Sequence, residues 1–411
     1  MTRRTAMVGV NRNAISQLAY SGTAPSLLCE ERELWEAKHL DDWLAQSGLT
    51  GVRPVFFDYQ HETPRLASNV VKVLRDEYVN GVLPGLEYAV ESAAYLAARL
   101  GLPGAGESAA RILRNKLLLR EATQGRSWGA VGFRLASSAS GVADFLADQP
   151  GDVVVKPIDR QASLGVVRLT RGDDVEAALS QAVVGHEPNQ TITGWSSEQR
   201  VLVEQCLVGD ECSVEALVSW GEVVWANLTA KRVRDGNHRV EVGHEIVPLE
   251  DWCRPTMQEL VDAVGFGDGL LHAEFMRTTD GPRLIECAGR PPGDQILNLI
   301  EHAWGFSPAA AWSEIMCGRR PELPATPTGR AAIAFVWSAQ PGVVKQLADL
   351  AAVPARALVN YPVTVGQEVR PPRSSWDRLG FVLVASNNGM IGDYAEARRI
   401  ADSLRPSLEA R

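Results

Sequence analysis

Two glutamates stand at matched positions on either side of a short turn. His272-Ala273-Glu274-Phe275 and Leu284-Ile285-Glu286-Cys287 each hold one glutamate among alternating apolar residues, and Thr279-Asp280-Gly281-Pro282 lies between them. Alternation has the period of a strand, and Asp-Gly is a strong turn signal. Leu271–Arg277 and Arg283–Ala288 are therefore predicted as the arms of a β-hairpin. Residues opposed across such arms stand about 5 Å apart. Two carboxylates that close repel unless a divalent cation sits between them. Hard cations such as Mg²⁺ take carboxylate and phosphate oxygens together. With both glutamates facing inward, the hairpin is a platform for a Mg²⁺–nucleotide. With both facing solvent it is a half-exposed sheet, and these residues alone leave both readings open.

The rest of the chain reads as α/β. Thr5–Val10, Ser26–Cys29 and Val52–Asp58 have the look of strands, Ala14–Tyr20, Asn69–Val79 and Leu86–Leu100 of helices, and Gly101-Leu102-Pro103-Gly104 closes the layer. Ser108–Thr123 reads as one helix capped by Ser108, with Arg111, Arg114, Lys116 and Arg120 recurring along it. Val153–Val155 and Val166–Leu169 read as a strand and its return, with Pro157 ending the pairing, and Asp173–Val183 as a helix. His186–Glu198 is polar and reads as a loop; Val201–Glu204, Cys212–Val218 and Glu222–Thr229 read as strands. Ser307 and Pro308 are placed to open a helix running to Cys317. After the Pro-rich stretch Pro321–Pro327, a last unit starts at Gly329, with a strand over Ala331–Trp337 and a closing helix over Ala395–Leu404.

Three further segments carry chemistry-bearing side chains. Lys156 precedes a turn containing Ser163 and Gly165 and then a returning strand, which suits a flap whose lysine and backbone N–H groups neutralise phosphate oxygens. It is not the GxxxxGK[ST] phosphate loop, and a surface hairpin fits the same residues. Glu204-Gln205-Cys206-Leu207 leaves a strand and passes Gly209 and Glu211 into the next; such a connector can offer its backbone to an adenine edge, or be a plain strand–turn–strand. Arg290, in Gly289-Arg290-Pro291-Pro292-Gly293-Asp294, is placed to bind a carboxylate or phosphoryl group bidentately, or to pair with Asp294.

Charge and composition exclude other classes. Lys+Arg total 41 and Asp+Glu 50, a net charge of −9, which disfavours nucleic acid and anionic membrane as partners. No apolar run reaches the roughly 18 residues of a membrane span, and Ala6–Val10 is too short for a signal-peptide core. Cys29, Cys206, Cys212, Cys253, Cys287 and Cys317 form no CxxC pair and read as reduced thiols, so a cytoplasmic location is expected.

Taken in order, Gly81-Val82-Leu83-Pro84, Glu87, Leu100–Gly104, Asn115-Lys116, Val155-Lys156-Pro157, Glu204–Leu207, Gly209-x-Glu211, and Glu274 with Glu286 and Arg290 resemble the ATP-grasp superfamily. Within it the chain is most similar to carboxylate–amine ligases, including the L-amino acid (dipeptide) ligases. The resemblance spans most of the chain and implies three units. These are a Rossmann-like α/β domain over 1–105, an ATP-grasp domain over 106–328 with a flap subdomain at about 125–205, and a small C-terminal α+β unit over 329–411. It implies that Lys116 and Lys156 bind nucleotide phosphates under a flap holding Ser163 and Gly165. Glu204, Gln205, Cys206 and Leu207 would form the hinge that holds adenine, and Glu211 would contact the ribose. Glu274 and Glu286 would bind one or two Mg²⁺, and Arg290 would stabilise an acyl-phosphate. Glu241 and His244, with Arg290 and Gly293, are the implied amino-acid contacts, and Lys231 lies where relatives often carry a lysine. For His244 the reading as a satisfied structural histidine stays open.

The implied activity is ATP-dependent ligation. A carboxylate attacks the γ-phosphate, and an amine then attacks the acyl-phosphate, releasing ADP and phosphate. Positioning and charge stabilisation dominate such chemistry, which matches a site of Lys, Arg and Mg²⁺ without a side-chain nucleophile. Small-molecule amino-acid substrates and a homodimer are implied as well. Biotin-carboxylase-like enzymes, purine-pathway ligases and non-catalytic nucleotide-binding proteins share the fold, so the fold does not choose among them. Two departures stand out. Ala288 replaces the asparagine of the usual Glu-x-Asn-x-Arg, and the flap residues Arg160-Gln161-Ala162-Ser163 are poor in glycine.

Overall fold

The structure, a computed structural model, describes residues 4–60, 68–183, 200–234, 239–387 and 392–409. At the N-terminal end β1 (Thr5–Val8), β2 (Leu27–Glu30), β3 (Arg53–Phe56) and β4 (Gly81–Pro84) form a parallel sheet in the order β3-β2-β1-β4. β1, β2 and β4 are buried throughout, as strands of a parallel sheet covered on both faces must be. The helix expected over Leu86–Leu100 starts as a 3₁₀ turn, Glu87–Ala89, before the α-helix Val90–Leu100.

The single helix expected over Ser108–Thr123 is two helices, Glu107–Arg114 and Lys116–Thr123. Asn115 makes the break. Its backbone is extended (φ −125°, ψ 109°), and its side-chain oxygen accepts hydrogen bonds from the N–H groups of Leu117 and Leu118. It is thus an N-cap in the middle of an apolar pattern that continues across it. Ser108 lies inside the first helix, which Gly106 precedes. The break puts Lys116 at the first position of the second helix.

β5 (Phe133–Ala136), β6 (Val153–Pro157), β7 (Val167–Leu169) and β8 (Val201–Gln205) form an antiparallel sheet in the order β5-β8-β6-β7. Helices Ala139–Asp148 and Val175–Ala182 cover it through Val142, Phe145 and Ala178, packed on Val153, Val155 and Val203. Pro157 is the last paired residue of β6, opposite Val201. The expected loop His186–Glu198 lies outside the described residues.

The central sheet contains β9 (Asp210–Ser219), β10 (Glu222–Val233), β11 (Glu241–Val247), β12 (Gly269–Thr278), β13 (Gly281–Ala288) and β14 (Gly329–Val336). β15 (Gly342–Gln346), β16 (Leu358–Asn360), β17 (Glu368–Val369), β18 (Gly380–Asn387) and β19 (Ser407–Glu409) follow. Among the described residues the order is β13-β12-β9-β10-β11-β14-β18-β16, and β17-β15-β19 form a separate small sheet. β14 thus joins the central sheet directly, with Gly243 opposite Ala334 and His244 opposite Ile333. One face of the sheet is covered by the helix Cys253–Val264, with Leu260 and Val261 among Val214, Ala216 and Leu271. The other face is covered by Ile296–Trp304 and Pro308–Met316, whose residues pack with Leu217 and Trp225 and reach Met7 and Leu83 of the parallel sheet. Ser307 caps the latter helix, its hydroxyl accepting from the Ala310 N–H. None of the six cysteines, all of them among the described residues, forms a disulfide. Among the described residues no helix is long and apolar enough to cross a membrane.

Candidate active site

β12 and β13 form the expected hairpin with Glu274 directly opposite Glu286, and a register shift follows at Phe275. A bulge re-aims side chains at such a point. The two glutamates line the seam between two clefts of about 1080 and 1100 Å³. Lys116, Lys156, Ser163, Glu204, Gln205, Cys206, Leu207 and Glu211 line the first cleft. Glu241, His244, Arg290 and Gly293 line the second. Gly165 lies between the lining residues Leu164 and Val166 and bends the flap at φ 72°.

Each glutamate is matched by a lysine from another element. Lys116 Nζ stands 3.1 Å from Glu286 Oε2 and also donates to the Arg160 carbonyl at the base of the flap. Glu274 accepts from Lys231 of β10 and from His272 Nε2, the latter at 3.2 Å. Lys231, weakly marked in the sequence, is the centre of a buried acidic cluster. Its ammonium also donates to Glu241 at 2.6 Å and lies 3.9 Å from Glu211. Burial alone would discharge Lys231, but Glu241, Glu274 and Glu211 outweigh it and hold its pKa well above the usual value. The same crowding leaves Glu211 the odd carboxylate. Burial, with Glu274 and Glu241 adding and Lys231 opposing, pushes it up to about 7. His272 Nδ1 meets Glu215 at 2.9 Å; although burial opposes its charge, Glu215 and Glu274 raise it to about 9.

The first cleft is organised by Arg120, in sequence only one of several basic residues recurring along 108–123. It is 1% exposed and donates to both oxygens of Glu204, at 2.6 and 3.1 Å. It also donates to the carbonyls of Leu284 and Ile285, at 2.7 and 2.9 Å. Lys156 reaches Glu204 Oε2 at 2.7 Å. Burial would raise the Glu204 carboxyl, but Arg120 and Lys156 hold it at about 2. Lys156 itself is lowered, chiefly by burial, with Arg120 and Lys116 adding to the effect. This ties strands β8 and β13 directly, and β6 through Lys156, to one helix. Between β6 and β7, Ala162 and Ser163 take the left-handed backbone, φ 55° and 57°, a region that favours glycine.

In the second cleft Arg290 does not pair with Asp294. Its Nε donates to Glu87 at 2.6 Å and its Nη1 to the Pro291 carbonyl at 2.8 Å, while Arg114 takes the other Glu87 oxygen at 2.7 Å. The 3₁₀ turn supplies that glutamate; burial disfavours its charge, but Arg290 and Arg114 outweigh burial and hold it at about 2. Asp294 goes instead to Arg378 of the C-terminal unit, which donates to both its oxygens, and to His244 Nε2 at 3.2 Å. His244 is fully buried against the Phe335 ring, so it is a held histidine that also borders the cleft. Arg378 had no local signal, because its partner is 84 residues away in sequence.

The donor chemistry at the seam suits Mg²⁺: two carboxylates on facing strands offer oxygen alone. Ala288, opposite His272, offers no third oxygen from its side chain.

Residues 149–298 match the ATP-grasp domain family, and residues 334–411 match the L-amino acid ligase C-terminal domain 2 family. The chain is 28% identical over 244 residues to dapdiamide A synthase of Enterobacter agglomerans, covering 56% of this chain and 54% of that protein. It is 29% identical over 269 residues to phosphoribosylamine–glycine ligase of Methanothermobacter thermautotrophicus, covering 58% and 59%. These matches span little more than half the length of the curated relatives. The L-amino acid ligase structure from Bacillus licheniformis superposes with a TM-score of 0.73 at 19% identity, covering 100% of this chain and 99% of that one, a likeness of fold.

Proposed function

We propose that this chain, an ATP-grasp ligase with an L-amino acid ligase C-terminal unit, joins an amino-acid carboxylate to an amine through an acyl-phosphate. The observation that carries the reading is the seam. Glu274 and Glu286 border both clefts, so a phosphate end from one side and a carboxylate from the other meet at the same pair. ATP would occupy the first cleft, with its phosphates toward Lys116 and Lys156 and its base along Gln205–Leu207. Mg²⁺, held by Glu274 and Glu286, would neutralise phosphate charge, with water completing its shell beside Ala288. Arg290, steadied by Glu87, would hold the substrate carboxylate against the γ-phosphate. The carboxylate oxygen attacks phosphorus and ADP leaves; the amine then attacks the acyl carbon and phosphate leaves. The flap Ile158–Val166, rooted by Lys116 and by Arg114 on the Asp159 carbonyl, would keep water from the acyl-phosphate.

Phosphoribosylamine–glycine ligation is a second reading within the same chemistry, supported by the curated relative of that name. The C-terminal match to L-amino acid ligases favours the first. The test is phosphate release from ATP and Mg²⁺ against a matrix of amino-acid pairs, with mass spectrometry of the products. Release that needs two amino acids, giving a product at their summed mass less water, supports the reading. Release with glycine and phosphoribosylamine alone, or with bicarbonate alone, replaces it.

A further inference from the structure

The second cleft is lined by Glu274, Glu286 and Arg290 and, as its larger apolar members, by Leu86, Pro291, Pro292, Ile296 and Trp376. Trp376 is the unusual member, because its large indole is 47% exposed. Its backbone is nevertheless fixed. Ser374 Oγ accepts from the Trp376 N–H at 3.3 Å, and Asp377 accepts from the N–H groups of Arg373 and Ser374 at 2.9 and 3.1 Å. Arg370 braces Asp377 at 2.9 Å, and Arg378 clamps Asp294 across the cleft. An exposed indole on a rigid turn at a cavity wall is a surface preformed for contact. Asp294 is paired with Arg378 and His244, while Lys231 is shared among Glu241, Glu274 and Glu211.

Resting on the ligase reading above, we infer that Trp376 forms the side-chain-selecting wall of the amino-acid cleft and that the amino acid it selects carries a large apolar or aromatic side chain. The α-carboxylate lies at Arg290, and the side chain lies along the prolines, Ile296 and the indole. An ionised side chain laid along Leu86, Pro291, Pro292, Ile296 and Trp376 would lose hydration against apolar surface.

The test is calorimetric titration of the full chain, with Mg²⁺ and a non-hydrolysable ATP analogue present, by glycine, alanine, leucine, phenylalanine, lysine and glutamate. Leucine and phenylalanine are expected to bind at least about tenfold tighter than glycine, lysine or glutamate. In Trp376→Ala the leucine-to-glycine affinity ratio falls toward one, and Trp376→Phe restores it. Tightest binding of a charged amino acid, or a ratio unchanged in Trp376→Ala, overturns the inference. So does equal weakening of every amino acid, which is what a purely structural tryptophan would give. Because the titration reads binding without turnover, the ligase reading fails separately, if no amino acid accelerates ATP breakdown.

Discussion

Arg120→Met removes the guanidinium that joins Glu204 of β8 to β13 while keeping most of its volume. The natural side chain is 1% exposed and makes four hydrogen bonds, two to Glu204 and two to the carbonyls of Leu284 and Ile285. Removing one partner of a buried ion pair costs roughly 3–5 kcal/mol. Here Glu204 keeps Lys156 at 2.7 Å, which puts the ionic part at the low end of that range. The two stranded carbonyls add on the order of 1 kcal/mol. The sum is about 4 kcal/mol, or a fall of about 10 °C in Tm for a cooperative unit of a few hundred residues. Scanning calorimetry of the natural chain and the variant measures it. The nucleotide affinity should fall with it, because the freed carbonyls immediately precede Glu286 in the chain. Arg120→Lys should lie between the two, since an ammonium cannot reproduce the fork. A Tm within about 2 °C of the natural chain would refute this account of Arg120.

Acid should destabilise the fold through Glu87 and Glu204, each lowered from 4.5 to about 2 by its cationic partners against the pull of burial. A depressed folded pKa stabilises fully above the unfolded value and is lost as pH falls toward the folded one. Thermal midpoints should therefore hold above pH 4.5 and drop steeply between 4.5 and about 2; a flat profile to pH 3 would contradict it. Asn115→Ala deletes the cap that starts the Lys116 helix, and urea unfolding should show a loss of about 1 kcal/mol. Glu286→Gln should leave Tm nearly unchanged, since its side chain is 34% exposed and its lysine pair is worth under about 1 kcal/mol. Its ATP turnover should fall roughly a hundredfold and its Mg²⁺ requirement rise, as steady-state assays across Mg²⁺ concentrations would reveal.

The hairpin was legible because strand alternation and an Asp-Gly turn are local signals, and the same locality made the Ser307 cap and the strands β1, β2 and β3 readable. Asn115 was misread for the opposite reason: helical spacing runs through it, and only the side-chain hydrogen bonds show that it starts a new helix. The helices Cys253–Val264 and Ile296–Trp304 and the strand β11 were not predicted, although Gly265 and Gly305 stand at the C-caps of the two helices. At the site, side chains in short motifs could be named from the sequence, and their pairings with distant partners could not. Arg120 meets Glu204 84 positions away, and Arg290 meets Glu87 203 positions away, so charge complementarity appears only once the chain is folded. Lys231 shows the same limit, since its three glutamates come from three different strands.

An acyl-phosphate intermediate moves an oxygen from the carboxylate to phosphate, and oxygen transfer reports it directly. The donor amino acid is labelled with ¹⁸O in its carboxylate and turned over with ATP, Mg²⁺ and the acceptor amine, and the released phosphate is weighed by mass spectrometry. Attack by the carboxylate on the γ-phosphate carries one labelled oxygen into each phosphate formed. Phosphate without label, alongside continuing amide formation, would contradict the mechanism and with it the role assigned to the meeting of the two clefts.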